Sequence, residues 1–246
     1  IRIANCSGYY GDKLSAAKEL IEGGPIDFLT GDYLAELTMG ILYSQKLKRG
    51  EDMGYVGTFL KQYRDVAKTC QAKGIKIVVN AGGLNPKSMA NELNKINEEL
   101  SLEMNVAYID GDDIVDDLST LQDQGEEFIH LDKHVPISSS GCEIITANVY
   151  LGAWGIVKAL DLGADVVICP RVTDASLVIG PAAWKFGWKR DDFDKLSGAL
   201  AAGHIIECGA QTTGGNYAFF EEVETFKDIG YPIAEIYEDG SFMITK

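Results

Sequence analysis

The chain lacks any run approaching the ~18–20 consecutive apolar residues that a membrane-spanning helix needs, and no membrane partner is expected of it. Cations are scarce. Lys and Arg number 22 against 37 Asp and Glu, a formal net charge of −15. That balance argues against a nucleic-acid groove or an anionic membrane surface as partner. An anionic small molecule stays open, because a local Arg, Lys or backbone N–H can outweigh distant charge. Cysteine is sparse and unpaired in sequence: Cys6, Cys70, Cys142, Cys169 and Cys208 form no CxxC, and three lie in or beside apolar runs. This usage points to a reducing compartment, the cytoplasm or, in a eukaryote, the mitochondrial matrix, and not to a disulfide framework. Four familiar signatures are also missing. Without GxxxxGK[ST] or GxGxxG, ATP or NAD binding by the usual loops has no support, and without GxSxG or HExxH neither has a serine hydrolase or a zincin.

What is present is 46% hydrophobic residues over 246 positions, ample for one large α/β domain or two small ones. Four apolar runs each stop at a polar cluster: Ile26–Thr30 at Gly31-Asp32-Tyr33, Ile75–Val79 at Asn80-Ala81-Gly82-Gly83, Val106–Ile109 at Asp110-Gly111-Asp112-Asp113, and Ala164–Cys169 at Pro170-Arg171-Val172-Thr173-Asp174. A short apolar run followed by a helical stretch reads as a buried parallel strand. In open α/β sheets, ligands bind beyond the carboxyl ends of such strands. Arg2–Ser7 reads as a further strand, followed by a helix from an Asp12 N-cap to Ile21. Helices are predicted over Leu34–Lys48, from Val56 towards Gly74, from Asn85-Pro86 to about Leu100, over Ile144–Leu162, over Ser176–Phe186 and over Phe193–Cys208. Gly125–Gly141 is the longest irregular stretch, of the kind that serves as a lid, a binding loop or an insertion. Asp239-Gly240 between Ile233–Tyr237 and Phe242–Thr245 marks a hairpin. The expected fold is therefore α/β, a mostly parallel sheet with helices on both faces and an antiparallel hairpin at the C-terminal end.

The polar clusters carry the candidate chemistry. Asp32 at a strand end suits a general base or a ligand, and a helix cap equally. Asn80, Gly82, Gly83 and Asn85 form a small-residue turn before a capped helix, able to bring backbone N–H groups to a phosphate or carboxylate, or simply to make a tight turn. Asp112 and Asp113 offer hard oxygen ligands to Mg²⁺, or a solvated helix start. Arg171 suits bidentate contact with an anion, with Asp174 either its internal partner or a catalytic carboxylate. His204, Glu207 and Cys208 share a helical face, where a neighbouring His can activate a thiol, although a buried, inert Cys fits the same spacing. Gln211, Thr212, Gly214, Gly215 and Asn216 make a second polar loop able to close on a ligand. His130 and His134 have metal-like spacing, but in a polar loop where surface placement is the simpler reading.

Several segments together resemble the acyclic terpene utilisation (AtuA) family: GDYLAELTM (31–39), NAGGLNP (80–86), DGDD (110–113), ANVYLGA (147–153), RVTDASLVIGP (171–181), GHIIECGAQTTGGNY (203–217), and GYPIAEI with DGSFMITK (230–246). The resemblance spans nearly the whole chain and departs mainly in Gln124–Ser140. It implies a single α/β domain over residues 1–246, expected to be the N-terminal part of a longer protein. It also implies a place in the catabolism of citronellol- and geraniol-type isoprenoids as CoA thioesters, and it brings no settled reaction or catalytic residues. The expectation that follows is an enzyme of lyase, hydratase or hydrolase type acting on a small carboxylate or acyl-CoA, without a redox cofactor and with Mg²⁺ as the one metal to consider. Homo-oligomers or other chains of a catabolic complex are the expected protein partners. The alternative is a non-catalytic binding or scaffold subunit.

Overall fold

Period-two burial fixes two faces on every inner strand. The computed structural model describes residues 1–246. In it, β1 (Arg2–Asn5), β2 (Phe28–Gly31), β3 (Lys76–Val79), β4 (Val106–Tyr108), β5 (Val166–Ile168), β6 (Ile233–Ile236) and β7 (Phe242–Thr245) form one sheet in the order β4-β5-β3-β2-β1-β6-β7. The first five strands are parallel, and β6 and β7 add as an antiparallel pair beside β1. Ala4, Leu29, Ile77, Val79, Val166 and Ile168 face one core, while Ile3, Phe28, Val78 and Val167 face the other. Near-continuous apolar strands are what burial on both faces requires.

The first core is covered by α1 (Ala16–Gly23), α2 (Glu36–Arg49), α3 (Gly57–Lys73) and α4 (Pro86–Leu100). After the short α5 (Leu118–Asp123), the second core is covered by α6 (Trp154–Asp161), α7 (Ser176–Phe186) and α8 (Phe193–Ile206). The division follows from strand order. From β1 to β3 each step moves towards the β4 edge, so right-handed crossovers place the helices on one face. From β4 the chain steps back to β5 and then across to β6, which places the later helices on the opposite face. Consequently α4 leaves β3 towards one side and α7 leaves its neighbour β5 towards the other. The carboxyl ends of β3 and β5 therefore flank a switch point, where sheets of this kind open a crevice.

Local signals acted as their chemistry directs at several points. The Asn85 side chain accepts the Ser88 N–H at 3.1 Å ahead of Pro86, capping α4. The hairpin turns at Gly240, whose φ is +87°, with the Ser241 N–H held by Asp239 at 3.0 Å. Two helix expectations are corrected. Asp12 caps no helix: α1 begins at Ala16, and the Asp12 carboxylate instead accepts the Gly8 N–H and the Tyr231 hydroxyl. The helix expected over Ile144–Leu162 occupies only Trp154–Asp161. The preceding residues run extended because their backbone is claimed on both sides. Ile114 and Val149 exchange bonds with Ala147 and Asp112 at 2.8 Å, and Leu151 bonds the Arg171 carbonyl at 3.2 Å and receives Thr173 at 2.9 Å. Tertiary pairing here overrides helical periodicity.

The crevice closes tightly at its floor. The Gly82 N–H donates to the Cys169 carbonyl at 3.0 Å, tying the β3 exit to the β5 exit. A Cβ on Gly82 would lie 2.6 Å from the Pro86 Cβ and 2.7 Å from the Cys169 oxygen. Gly82→Ala is expected to cost about 1–3 kcal/mol, whereas Gly23→Ala, with open space around it, should cost nothing of that kind. Urea unfolding of the two variants measures the contrast, and an unchanged midpoint for Gly82→Ala would show that the floor can yield.

Candidate active site

Asp32 leaves the end of β2 and is 6% exposed. Its position is set by Asn80, at the end of β3. The Asn80 Nδ2 donates to Asp32 Oδ1 at 2.6 Å, and the Asn80 Oδ1 accepts the Tyr33 N–H at 2.8 Å. The Leu34 N–H also reaches Asp32 Oδ1, at 3.3 Å. Burial, and secondarily the charge of Asp174, push the Asp32 carboxyl up to about 7, against the opposing pull of the Asn80 and Leu34 hydrogen bonds and of Arg171. Carboxylate oxygens of Asp32, Asp174 and Glu207 lie within 4.8 Å of one another.

Arg171 supplies the positive charge among them. It is 5% exposed, leaving β5, and its guanidinium donates to Asp174 at 3.0 Å, to the Leu34 carbonyl at 3.3 Å and to the Tyr150 hydroxyl at 3.0 Å. These bonds use three of the five N–H groups a guanidinium carries. The Tyr150 ring also stacks on it, 4.2 Å from centroid to Cζ. Tyr150 in turn donates to Glu36, which holds that carboxyl below its ordinary range. A hollow of about 140 Å³ lies here, lined by Glu36, Met39, Thr146, Asn148, Tyr150 and Arg171.

Glu207 arrives from the opposite direction, at the end of α8. Asn5 at the end of β1 anchors that terminus, donating through Nδ2 to the Ile206 and Glu207 carbonyls at 2.7 and 2.9 Å. Burial and Asp174 raise the Glu207 carboxyl, while His204, 3.2 Å away, and Arg171 oppose the rise. Burial thus raises both the Asp32 and the Glu207 carboxyls, and the Asp174 charge adds to the rise at each.

Of the residues singled out from sequence, Asp32, Asn80, Arg171 and Asp174 meet here. Gly82 and Gly83 lie at the crevice floor, but their amides already donate to the Cys169 and Asn80 carbonyls, so the anion-clamping role read from them gives way to a packing role. Asn85 is likewise committed, capping α4 and donating to the Glu51 and Met53 carbonyls. Asp112 is buried and accepts the Asn148 side chain and the Arg171 N–H at 2.9 and 3.1 Å, thereby supporting Arg171 from behind. Asp113 is exposed and accepts the Val115 N–H, so neither belongs to the three-carboxylate cluster.

Cys208 is not activated by His204, which pairs with Glu207, and burial followed by the Glu207 charge pushes its thiol up. With Gln211 and Gly215 it lines a separate cavity of about 280 Å³. Thr212 bonds back to the Ile205 carbonyl at 2.5 Å, Gly214 lines another hollow of about 330 Å³, and Asn216 is exposed. Sequence reasoning missed Glu207 as a site carboxylate and Tyr150 altogether. The three-residue step from His204 to Glu207 was visible but drew attention to the thiol, and Tyr150 sat in a stretch expected to be helical.

The carboxylate–guanidinium cluster lies at the switch point of an open α/β sheet. The family model described as "Acyclic terpene utilisation family protein AtuA" matches residues 1–246, and the chain belongs to that family. Membership suggests involvement in acyclic terpene utilisation. Comparisons with curated proteins and with solved structures returned no match. No helix is long and apolar enough to cross a membrane.

The native state holds the Asp32 proton more tightly than the unfolded chain, where the carboxyl ionises near 3.8. Its contribution to folding is therefore full below about pH 4 and is lost as pH rises through about 7. Asp32→Asn removes that loss. Thermal melts should show the variant more stable than the parent at pH 8, by about 1–3 kcal/mol, with the gain vanishing towards pH 4. A variant destabilised equally at both pH values would contradict a buried Asp32 that is harder to ionise in the folded chain.

Proposed function

We propose that the chain is an enzyme acting on acyclic, branched-chain carboxylates or their CoA thioesters, by lyase, hydratase or hydrolase chemistry. The observation that carries this reading is the gathering of Asp32, Asp174 and Glu207 within 4.8 Å of one another, with Arg171 paired to Asp174, at the carboxyl ends of the parallel strands. A carboxyl poised near neutrality is matched to taking and returning a proton at working pH. Asp32 is therefore assigned the proton transfer, for example from a carbon next to a thioester carbonyl or from an attacking water. Asp174 orients Arg171 and raises Asp32. The remaining N–H groups of Arg171 face a carboxylate or thioester oxygen, and stabilise the negative charge that develops there in hydration, retro-aldol cleavage or hydrolysis alike. Tyr150, stacked on the guanidinium, fixes its plane. None of this chemistry needs a redox cofactor.

The three carboxylates also make a hard-oxygen donor set that suits Mg²⁺. Such an ion, when bound, supplies Lewis-acid polarisation of a carbonyl oxygen. Asp32, Asp174 and Glu207 would hold it, and Arg171 would then meet the anionic end of the ligand.

A thermal-shift screen of the chain against geranoyl-CoA, citronelloyl-CoA, short carboxylates and Mg²⁺ tests the reading first. A ligand at about 100 times its Kd should stabilise by about 2.7 kcal/mol. With a turned-over ligand in hand, Asp32→Asn and Asp174→Asn should each lower kcat by about 100-fold or more with the circular-dichroism spectrum intact. Full activity in both variants would refute the assignment.

A further inference from the structure

The two sides of the Arg171 guanidinium are occupied very differently. On the inner side, Nη1 donates to Asp174 at 3.0 Å and to the Leu34 carbonyl at 3.3 Å. On the outer side, Nη2 donates to the Tyr150 hydroxyl at 3.0 Å, and that hydroxyl donates onward to Oε1 of Glu36, the first residue of α2. The same Glu36 oxygen lies 3.7 Å from Nη2, beyond hydrogen-bond reach. The Glu36 side chain is 80% exposed, against 6% for Arg171. An ion pair with one partner so open to water contributes little and is easily exchanged.

Tyr150 is the fixed part of this arrangement and Glu36 the movable one. The extended segment that carries Tyr150 is pinned on both flanks, by the Asp113–Asn148 and Leu151–Val172 bridges. Its ring is held flat on the guanidinium. Glu36 is tethered from the start of α2, and its carboxylate stops short of Nη2, which keeps a second N–H. An untethered carboxylate can complete both contacts, with one oxygen on the Tyr150 hydroxyl and the other on Nη2, the two-point geometry that guanidinium groups favour. The hollow of about 140 Å³ there is below the ~300 Å³ at which whole-ligand sites begin, so it suits a head group. Its charge balance selects the head group further. Arg171 pairs only with Glu36 and Asp174, so a neutral oxygen in place of Glu36 removes one of two compensating charges, whereas a carboxylate restores it.

The geometry points to Glu36 as an internal stand-in for a ligand carboxylate: a free carboxylic acid binds by displacing Glu36 into solvent and taking the Tyr150 hydroxyl and Arg171 Nη2. The inference rests on the head-group reading given above and narrows it, from a carboxylate or thioester oxygen to the free carboxylate. Glu36 is then a built-in competitor that weakens binding of every acid at this position.

Isothermal titration of the chain with isobutyrate, and with the neutral N-acetylcysteamine thioester of the same acid, tests the assignment. The acid should bind about ten-fold tighter than the thioester. Glu36→Ala, which removes the competitor, should tighten the acid about two- to ten-fold. Tyr150→Phe, at a position 50% exposed where the fold tolerates it, and Arg171→Gln should each weaken the acid about ten-fold. An acid affinity unchanged or weakened in Glu36→Ala, with Arg171→Gln still weakening it, would overturn the displacement and leave the head-group reading standing. A thioester that binds as tightly as the acid would overturn the restriction to carboxylates, again leaving that reading intact. An acid tightened by Glu36→Ala and weakened by Tyr150→Phe, yet indifferent to Arg171→Gln, would support displacement at Tyr150 and overturn the head-group reading.

Discussion

Everything at the rim where the parallel strands end turns on a shortage of positive charge in a largely buried space. Asp32, Asp174 and Glu207 crowd together, and only Asp174 of the three pairs with Arg171, itself nearly inaccessible. Burial, and after it the charge of Asp174, penalise the ionised form of Asp32, which is driven towards neutrality. The protein holds this costly arrangement with polar braces that are themselves buried. Asn80 grips Asp32 from β3, Asp112 and Asn148 support the Arg171 backbone, and Asn5 fixes the end of α8 that carries Glu207. Remove the braces and the carboxylates would separate into water.

The sheet explains why these groups meet at all. Five parallel strands send their carboxyl ends to one rim, and the reversal between β3 and β5 parts the helices at that rim. The same reversal separates two cores of opposite sides, each with its own helices. Residues from position 5 to position 207 thereby converge without any local motif linking them.

Much of this was legible in the sequence because parallel strands are short apolar runs with abrupt polar ends. Asp32, Asn80, Arg171 and Asp174 could be picked out from that pattern alone. What resisted was whatever depends on contacts between distant segments. The glycines at 82 and 83 looked like a cradle for an anion because a free amide and a committed one have the same sequence, and only the approach of Cys169 decides between them. Ile144–Leu151 looked helical because its apolar spacing permits that, while pairing with Asp112 and Arg171 draws it out. Tyr150 was lost with it. Glu207 was seen but credited to a thiol, since nothing local announces that α8 ends beside β2's exit.

The grip of Asn5 on α8 has a consequence for how the molecule comes into being. β1 is the first strand made, yet its outer neighbour, β6, is among the last. The end of α8 is itself seated on Asn5 of β1, some two hundred residues earlier in the chain, and until it docks there Glu207 is not held beside Asp32 and Asp174. Such dependence between chain ends is a non-local contact of the slowest class to establish. A nascent chain therefore carries these three carboxylates apart and solvated, and gathers them only when the whole domain has closed.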